Sequence, residues 1–264
     1  MSLTHSPNGN YSFLAASATF SSGAIADNSF GLTHATFRRP VPLAQAFDAM
    51  RNHLVGLGRS MAAVCGVELR IGQPLSFDGF VQLNTGYKAL LHQHGLHIDG
   101  KAPAARTNVS PLPASIAPNE PSVYAFTYTL PAKTSVKNFV IAGAGELRPA
   151  PASTVQQTVT SGVNQRDLIV RLGETTPDAM REKAAFCIET AQDELRGLGA
   201  GWADASATNV YTAHPFDTFI ADVVLNTMGG AAIHSVHWFY SRPPIKEIEF
   251  EIDARNVAQE VMLG

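Results

Sequence analysis

Charge is what this chain has least of. Charged residues make up 16% of its 264, against roughly a quarter in an ordinary globular protein. Part of the surface is therefore expected to lie against other subunits. No cluster of Lys and Arg stands out, and the net charge is −3. A nucleic-acid partner is not expected, because neutralising phosphates needs a concentrated positive footprint. No apolar run reaches the roughly 18 residues of a membrane span. The opening, MSLTHSPNGNYSF, lacks the basic start and the apolar stretch of a secretory signal, so the expected location is the cytoplasm. Cysteine is scarce too. Cys65 and Cys187 each sit in apolar surroundings with no base beside them, which reads as a buried thiol rather than a nucleophile. His53, His92, His94 and His97 lack the spacing of a zinc site, and no Cys lies near them. There is no GxSxG elbow, and GAGEL lacks the third Gly and the Lys of the nucleotide loops. No metal and no cofactor is expected.

What is present is enough apolar side chain for a core, at 45%, arranged in helical and strand periods. After Pro40 and Pro42, residues Leu43, Phe47, Met50, Leu54 and Leu57 recur at spacings of three and four, which predicts a helix. Phe80, Leu83, Tyr87, Leu90 and Leu91 predict a second helix, ended by Gly95. Val123–Leu130 alternates as a strand does. The pattern then restarts. A strand at Asn138–Ala142 runs into Gly143-Ala144-Gly145-Glu146, a polar stretch covers 152–164, and a strand is predicted at Leu168–Leu172. Thr176-Pro177-Asp178 opens the clearest helix, whose apolar face runs from Met180 to Leu198. A strand at Thr208–Ala213, a helix at Phe216–Leu225, and strands at His234–Tyr240 and Ile245–Ile252 complete the reading. Each half thus repeats one element order over about 130 residues, which predicts duplication rather than a solenoid. The expected fold class is α+β, two tandem units over residues 1–132 and 133–264, each a mixed sheet with helices on one face.

The second half resembles the RidA/YjgF family, whose fold is of the chorismate-mutase-like type. The run MREKAAFCIETAQDELRGLGAGWADASATNVYTAH matches its long helix, Gly turn and following strand. PPIKEIEFEIDA matches its last strand, and NFVIAGAGEL its early strand and Gly turn. The first half matches through PAARTNV followed by SVYAFTYT. The specialised halves, with ARTNV and FVIAGAGELR, are similar to the bacterial 2-aminomuconate deaminases. The resemblance implies that Arg106 holds a substrate carboxylate, that His234 stands where the second half would carry the matching Arg, and that Glu249 is the last-strand carboxylate. It also implies a homotrimer with pockets between domains or subunits.

Read as chemistry, a guanidinium presents a planar fork to a carboxylate, so Arg106 is the candidate anchor of a small dicarboxylate substrate, with Thr107 and Gly145 beside it. The catalytic candidates are Glu249, Glu146 and His234. Glu249 or its rival Glu146 would hold the water that attacks an imine carbon, and His234 would move a proton or meet a second carboxylate. Glu247, Glu249 and Glu251 alternate along the last predicted strand, and a half-solvated strand looks the same. The implied activity is cofactor-independent hydrolysis of a 2-amino-dienoate dicarboxylate to the 2-hydroxy or 2-oxo acid and ammonia. A general 2-imino acid hydrolase and a non-catalytic carboxylate-binding protein are the alternatives.

Overall fold

The computed structural model describes residues 3–133, 135–149 and 164–264; of the polar stretch noted above, 152–163 lies outside them. The chain begins with β1 (Leu3–Ser6), β2 (Tyr11–Ala15), β3 (Ser21–Ala26) and β4 (Phe30–Pro42). Then come α1 (Leu43–Gly56), β5 (Val64–Arg70), α2 (Phe77–Gln93), β6 (Ala105–Pro111) and β7 (Ser122–Pro131). The remainder holds β8 (Phe139–Ile141), β9 (Ala144–Gly145), α3 (Pro177–Gly197), β10 (Ala207–Thr212), β11 (His237–Arg242), β12 (Phe250–Asn256) and β13 (Gln259–Leu263).

These thirteen strands form one mixed sheet in the order β1-β2-β3-β8-β12-β10-β11-β6-β5-β7-β4-β13, with β9 pairing β12 beside this path. The finding corrects the expectation of two tandem RidA-like units. Strands are shared across the chain: β3 pairs with β8, β11 with β6, and β13 runs parallel to β4. Because Ser21 of β3 also pairs with Ala105 of β6, the strands β3, β8, β12, β10, β11 and β6 close on themselves. The physical reason for the miss is that alternation says which face of a strand is apolar, not which strand becomes its neighbour.

The helices fold where their stripes predict. In α1 the stripe Ala46, Phe47, Met50 and Leu54 is buried against β4 and β7 in a core that also takes Tyr87 and Leu91 of α2. Ser76 caps α2 by accepting the Gly79 N–H, and Thr176 caps α3 by accepting that of Ala179. The face of α3 from Met180 to Leu195 packs on Phe250, Ile252 and Ala254 of β12. Strand side chains alternate, so Glu251 and Asp253 face the other way, and both are buried there. Among the described residues no helix is long and apolar enough to cross a membrane.

Four sequence-predicted elements differ. The helix expected at Phe216–Leu225 starts only at Ile220, as a π-helix to Leu225 that continues as an α-helical turn over Asn226–Met228. The strand expected at His234–Tyr240 starts only at His237, and Gly229–His234 is a 3-10 helix. Leu168–Leu172 is no strand: Gln165–Leu168 makes a 3-10 turn, and Ile169 meets Leu147 in a single bridge. The last strand starts at Phe250, because Glu247 at φ +73° turns the chain just before it.

Candidate functional site

The site is built on β6, whose residues alternate between two surroundings. One edge of this strand runs parallel to β5 over Ala105–Val109. The other is paired only at its ends, to β3 at Ala105 and to β11 at Ser110 and Pro111. Between those ends the backbone finds other partners. The Arg106 carbonyl accepts the Gly143 N–H at 3.2 Å, and the Asn108 N–H faces the Glu251 carboxyl, whose charged form it favours. Unpaired sheet edges must be answered somewhere, and here the β8–β9 turn and the β12 side chain answer this one.

Arg106 points from β6 into an aromatic cage. Its guanidinium carbon lies 5.1 Å from the ring centre of Phe20, 5.5 Å from that of Phe80 and 5.0 Å from that of Tyr87. Cation–π contacts of this kind suit a planar guanidinium. The side chain is buried, yet no salt bridge holds it among the described residues, and its Nη1 has no hydrogen-bond partner there. Burial pulls its pKa below the ordinary value, against the opposing potential of Tyr87 and Glu251. The Tyr87 hydroxyl, Asn84 Oδ1 and both amide atoms of Asn108 are likewise buried and unpartnered among the described residues. Burial pushes the Tyr87 hydroxyl up to about 12. Buried polar groups in folded proteins are nearly always paired. A cluster of unpaired ones around a cation marks a place made for something polar.

Glu251 lies against the Gly turn that meets the Arg106 carbonyl, on the face of β12 that also carries Asp253. Burial comes first among the causes that push the Glu251 carboxyl up to about 8, with the charges of Asp253 and Glu146 adding to it; the Asn108 N–H and Arg70 pull the other way. It is therefore a protonated carboxylic acid at neutral pH. Gly143 is required by this packing, for a Cβ at that position would overlap the Glu251 carboxyl. Gly145 pairs with Glu251 through the backbone, so the Gly turn acts as the wall behind the acid.

The opposite face of β6 is saturated. Thr107 donates to Asp253 Oδ2 at 2.7 Å, and the same carboxylate accepts from Tyr211 at 2.9 Å and, through Oδ1, from Asn209 at 2.8 Å. Beyond it, His34 bridges Glu68 at 2.8 Å and Glu260 at 2.7 Å. Burial alone would raise Glu68, but His34, Arg70 and Arg255 outweigh it and hold the carboxyl low.

The remaining sequence candidates lie elsewhere. Glu146 is fully buried: it takes the ammonium of Lys183 at 3.2 Å and the backbone N–H groups of Glu249 and Phe250 at 2.6 and 3.0 Å, tying α3 to the start of β12. Glu249 is half-buried and accepts from His214 and Arg242, each at 2.9 Å. His234 is exposed at the end of its 3-10 helix. The structure thus places Arg106 in the cluster, Gly145 against β12 beside Glu251, Thr107 on the reverse of the Arg106 strand, and Glu146, Glu249 and His234 outside the cluster. Tyr87, Asn84, Asn108 and Gly143 were missed. A signal existed for three of them: Asn108 is two residues from Arg106 and shares its strand face. Asn84 and Tyr87 share one side of a helix with Phe80.

Comparison with known proteins gives three matches. The model of a family described as 2-aminomuconate deaminase CnbZ matches residues 3–261. A 2-amino-5-chloromuconate deaminase of Comamonas testosteroni is 35% identical over 257 residues, 97% of this chain and 96% of that one. A crystal structure of a chorismatase aligns with 90% of this chain and 77% of its own at 14% identity and a TM-score of 0.43.

Proposed function

Since this chain belongs to the 2-aminomuconate deaminase CnbZ family, we propose that it is an enzyme of aromatic-compound degradation that removes the amino group of a 2-aminomuconate-type dienoate by hydrolysis. The observation that carries the reading is a buried guanidinium whose Nη1 has no hydrogen-bond partner among the described residues, on a strand that a buried carboxylic acid approaches. A conjugated dicarboxylate is flat and anionic. The rings of Phe20, Phe80 and Tyr87 suit its plane, and Arg106 suits its charge.

Glu251 then supplies the proton chemistry. Its carboxylic acid gives a proton to the enamine carbon, and the C=C–N unit becomes C–C=N. The carboxylate so formed takes a proton from water as the water oxygen bonds to the imine carbon. The re-formed carboxylic acid gives its proton to nitrogen, and the C–N bond breaks. Ammonia departs as the carboxylate takes back the carbinol O–H proton, and that oxygen becomes a carbonyl, whose enol is the 2-hydroxy dienoate. Water is consumed, nothing is oxidised, and one group serves as acid and then as base. Such a group is worth roughly 10²–10⁴-fold, and holding the substrate in place adds to it.

The test is turnover. 2-Aminomuconate and its 5-chloro analogue are generated with a ring-cleaving dioxygenase, and loss of their ultraviolet absorbance is followed together with ammonia release. Wild type is expected to turn over. Arg106→Ala is expected to lose kcat/KM by roughly 10²–10³-fold, since truncating one partner of a buried charge contact costs about 2–5 kcal/mol. A wild-type rate no greater than the spontaneous one would discard the reading.

A further inference from the structure

The cluster around Arg106 has more polar capacity than a carboxylate can answer. Arg106 Nη1, the Tyr87 hydroxyl and Asn108 Nδ2 are donors; Asn108 Oδ1 and Asn84 Oδ1 are acceptors. None of the five has a hydrogen-bond partner among the described residues. Tyr87 is 0% exposed, Asn108 3% and Arg106 6%. Arg106 and Asn108 project from one face of β6, and Asn84 lies one turn from Tyr87 on α2. The contact of the Arg106 guanidinium with the Tyr87 ring joins the two elements. A carboxylate offers only acceptors, so it satisfies the three donors and leaves two buried amide oxygens facing nothing. An occupant that suits all five carries an N–H beside its carboxylate.

We propose that this site takes the 2-amino carboxylate end of the substrate, with the carboxylate on Arg106 and Tyr87 and the adjacent amino group on the amide oxygens of Asn108 and Asn84, and that it thereby selects an amino group over an oxygen at the reacting carbon. The inference rests on Arg106 being the carboxylate anchor of the reading above. It places the reacting carbon beside Asn108, the residue whose backbone N–H favours the charged form of Glu251. It also gives the product a reason to leave: once a carbonyl oxygen replaces the amino group, the two amide oxygens face an acceptor. A site that exists for a carboxylate and ordered water alone makes none of these distinctions.

Pyrrole-2-carboxylate and furan-2-carboxylate provide the test. Both are flat rings with an adjacent carboxylate, and they differ in N–H against O at one position. Their dissociation constants are measured by calorimetry on the full chain. The pyrrole acid is expected to bind wild type about tenfold more tightly or better, the range set by an unpaired buried acceptor. Asn108→Leu and Asn84→Leu are each expected to shrink that preference markedly, and Asn108→Leu, which also removes an N–H donor, is expected to weaken both acids. Arg106→Ala is expected to weaken both acids. Asn84 is half-exposed, so its variant keeps the test open should Asn108→Leu not fold. Equal wild-type affinities, a preference that survives both Asn variants, or no binding of either ring by an enzyme that turns over 2-aminomuconate would overturn the proposal. Absent turnover with Arg106-dependent, pyrrole-preferring binding would instead remove the deaminase reading and leave the orientation standing.

Discussion

The two faces of β6 differ in one respect. On the Thr107 face the polar groups are paired among the described residues: Asp253 collects three hydrogen bonds, and His34 spans two carboxylates. On the Arg106 face five buried polar atoms have none among the described residues. The same strand, one residue apart, thus carries a finished network and an unfinished one. Finished networks rigidify a fold. Unfinished ones cost stability and are tolerated where function requires them. Satisfaction, rather than residue type, is what separates the Arg106 cluster from the Asp253 network.

The comparison is most exposed to a change at Glu251. Glu251→Gln keeps an oxygen for the Asn108 N–H but cannot donate and recover a proton, so kcat is expected to fall by roughly 10²–10⁴-fold in the turnover assay while the fold persists. Its pH behaviour sharpens the point. The folded carboxyl sits at about 8, above its ordinary 4.5, so the folded state holds this proton longer than the unfolded chain does. The associated stability is complete below about pH 4.5 and is lost as pH rises through about 8. Denaturant melts across that window should show Glu251→Gln gaining on wild type as pH rises. Wild-type kcat should decline above about 8 as the acid ionises. A glutamine variant of full activity would put Glu251 with the structural acids.

On the finished face the effect moves from activity to stability. Thr107→Val removes one donor from a buried carboxylate that keeps two, and should cost about 1–3 kcal/mol in chemical denaturation with KM for the dienoate little changed. A large rise in KM would show that the two faces are not independent. The smallest effect is expected at His234, which is exposed. His234→Ala should alter stability by less than about 0.5 kcal/mol and leave turnover within twofold of wild type. A tenfold loss would bring the 3-10 helix into the site.

Parts of this were legible beforehand. Apolar stripes at spacings of three and four located α1 and α3, because a helix end and a helix face are both local properties. Arg106 was singled out through its segment, and the run Glu247, Glu249, Glu251 contained the acid proposed above. The choice within that run was not legible. It depended on Glu247 entering a turn at positive φ and on Lys183 taking Glu146 out of play from a distant helix.

The sequence by itself determined which segments are helical, which strand faces are apolar, the scarcity of charge, and a cation at position 106 flanked by residues able to line a pocket with it. Those properties follow from neighbours a few residues away. Only the tertiary structure decided that the strands form one sheet closing on itself instead of two separate units, because strand pairing joins residues more than a hundred positions apart. It alone decided which polar groups were satisfied. A side chain becomes a structural acid or a reactive one according to the partners and the solvent that folding leaves it.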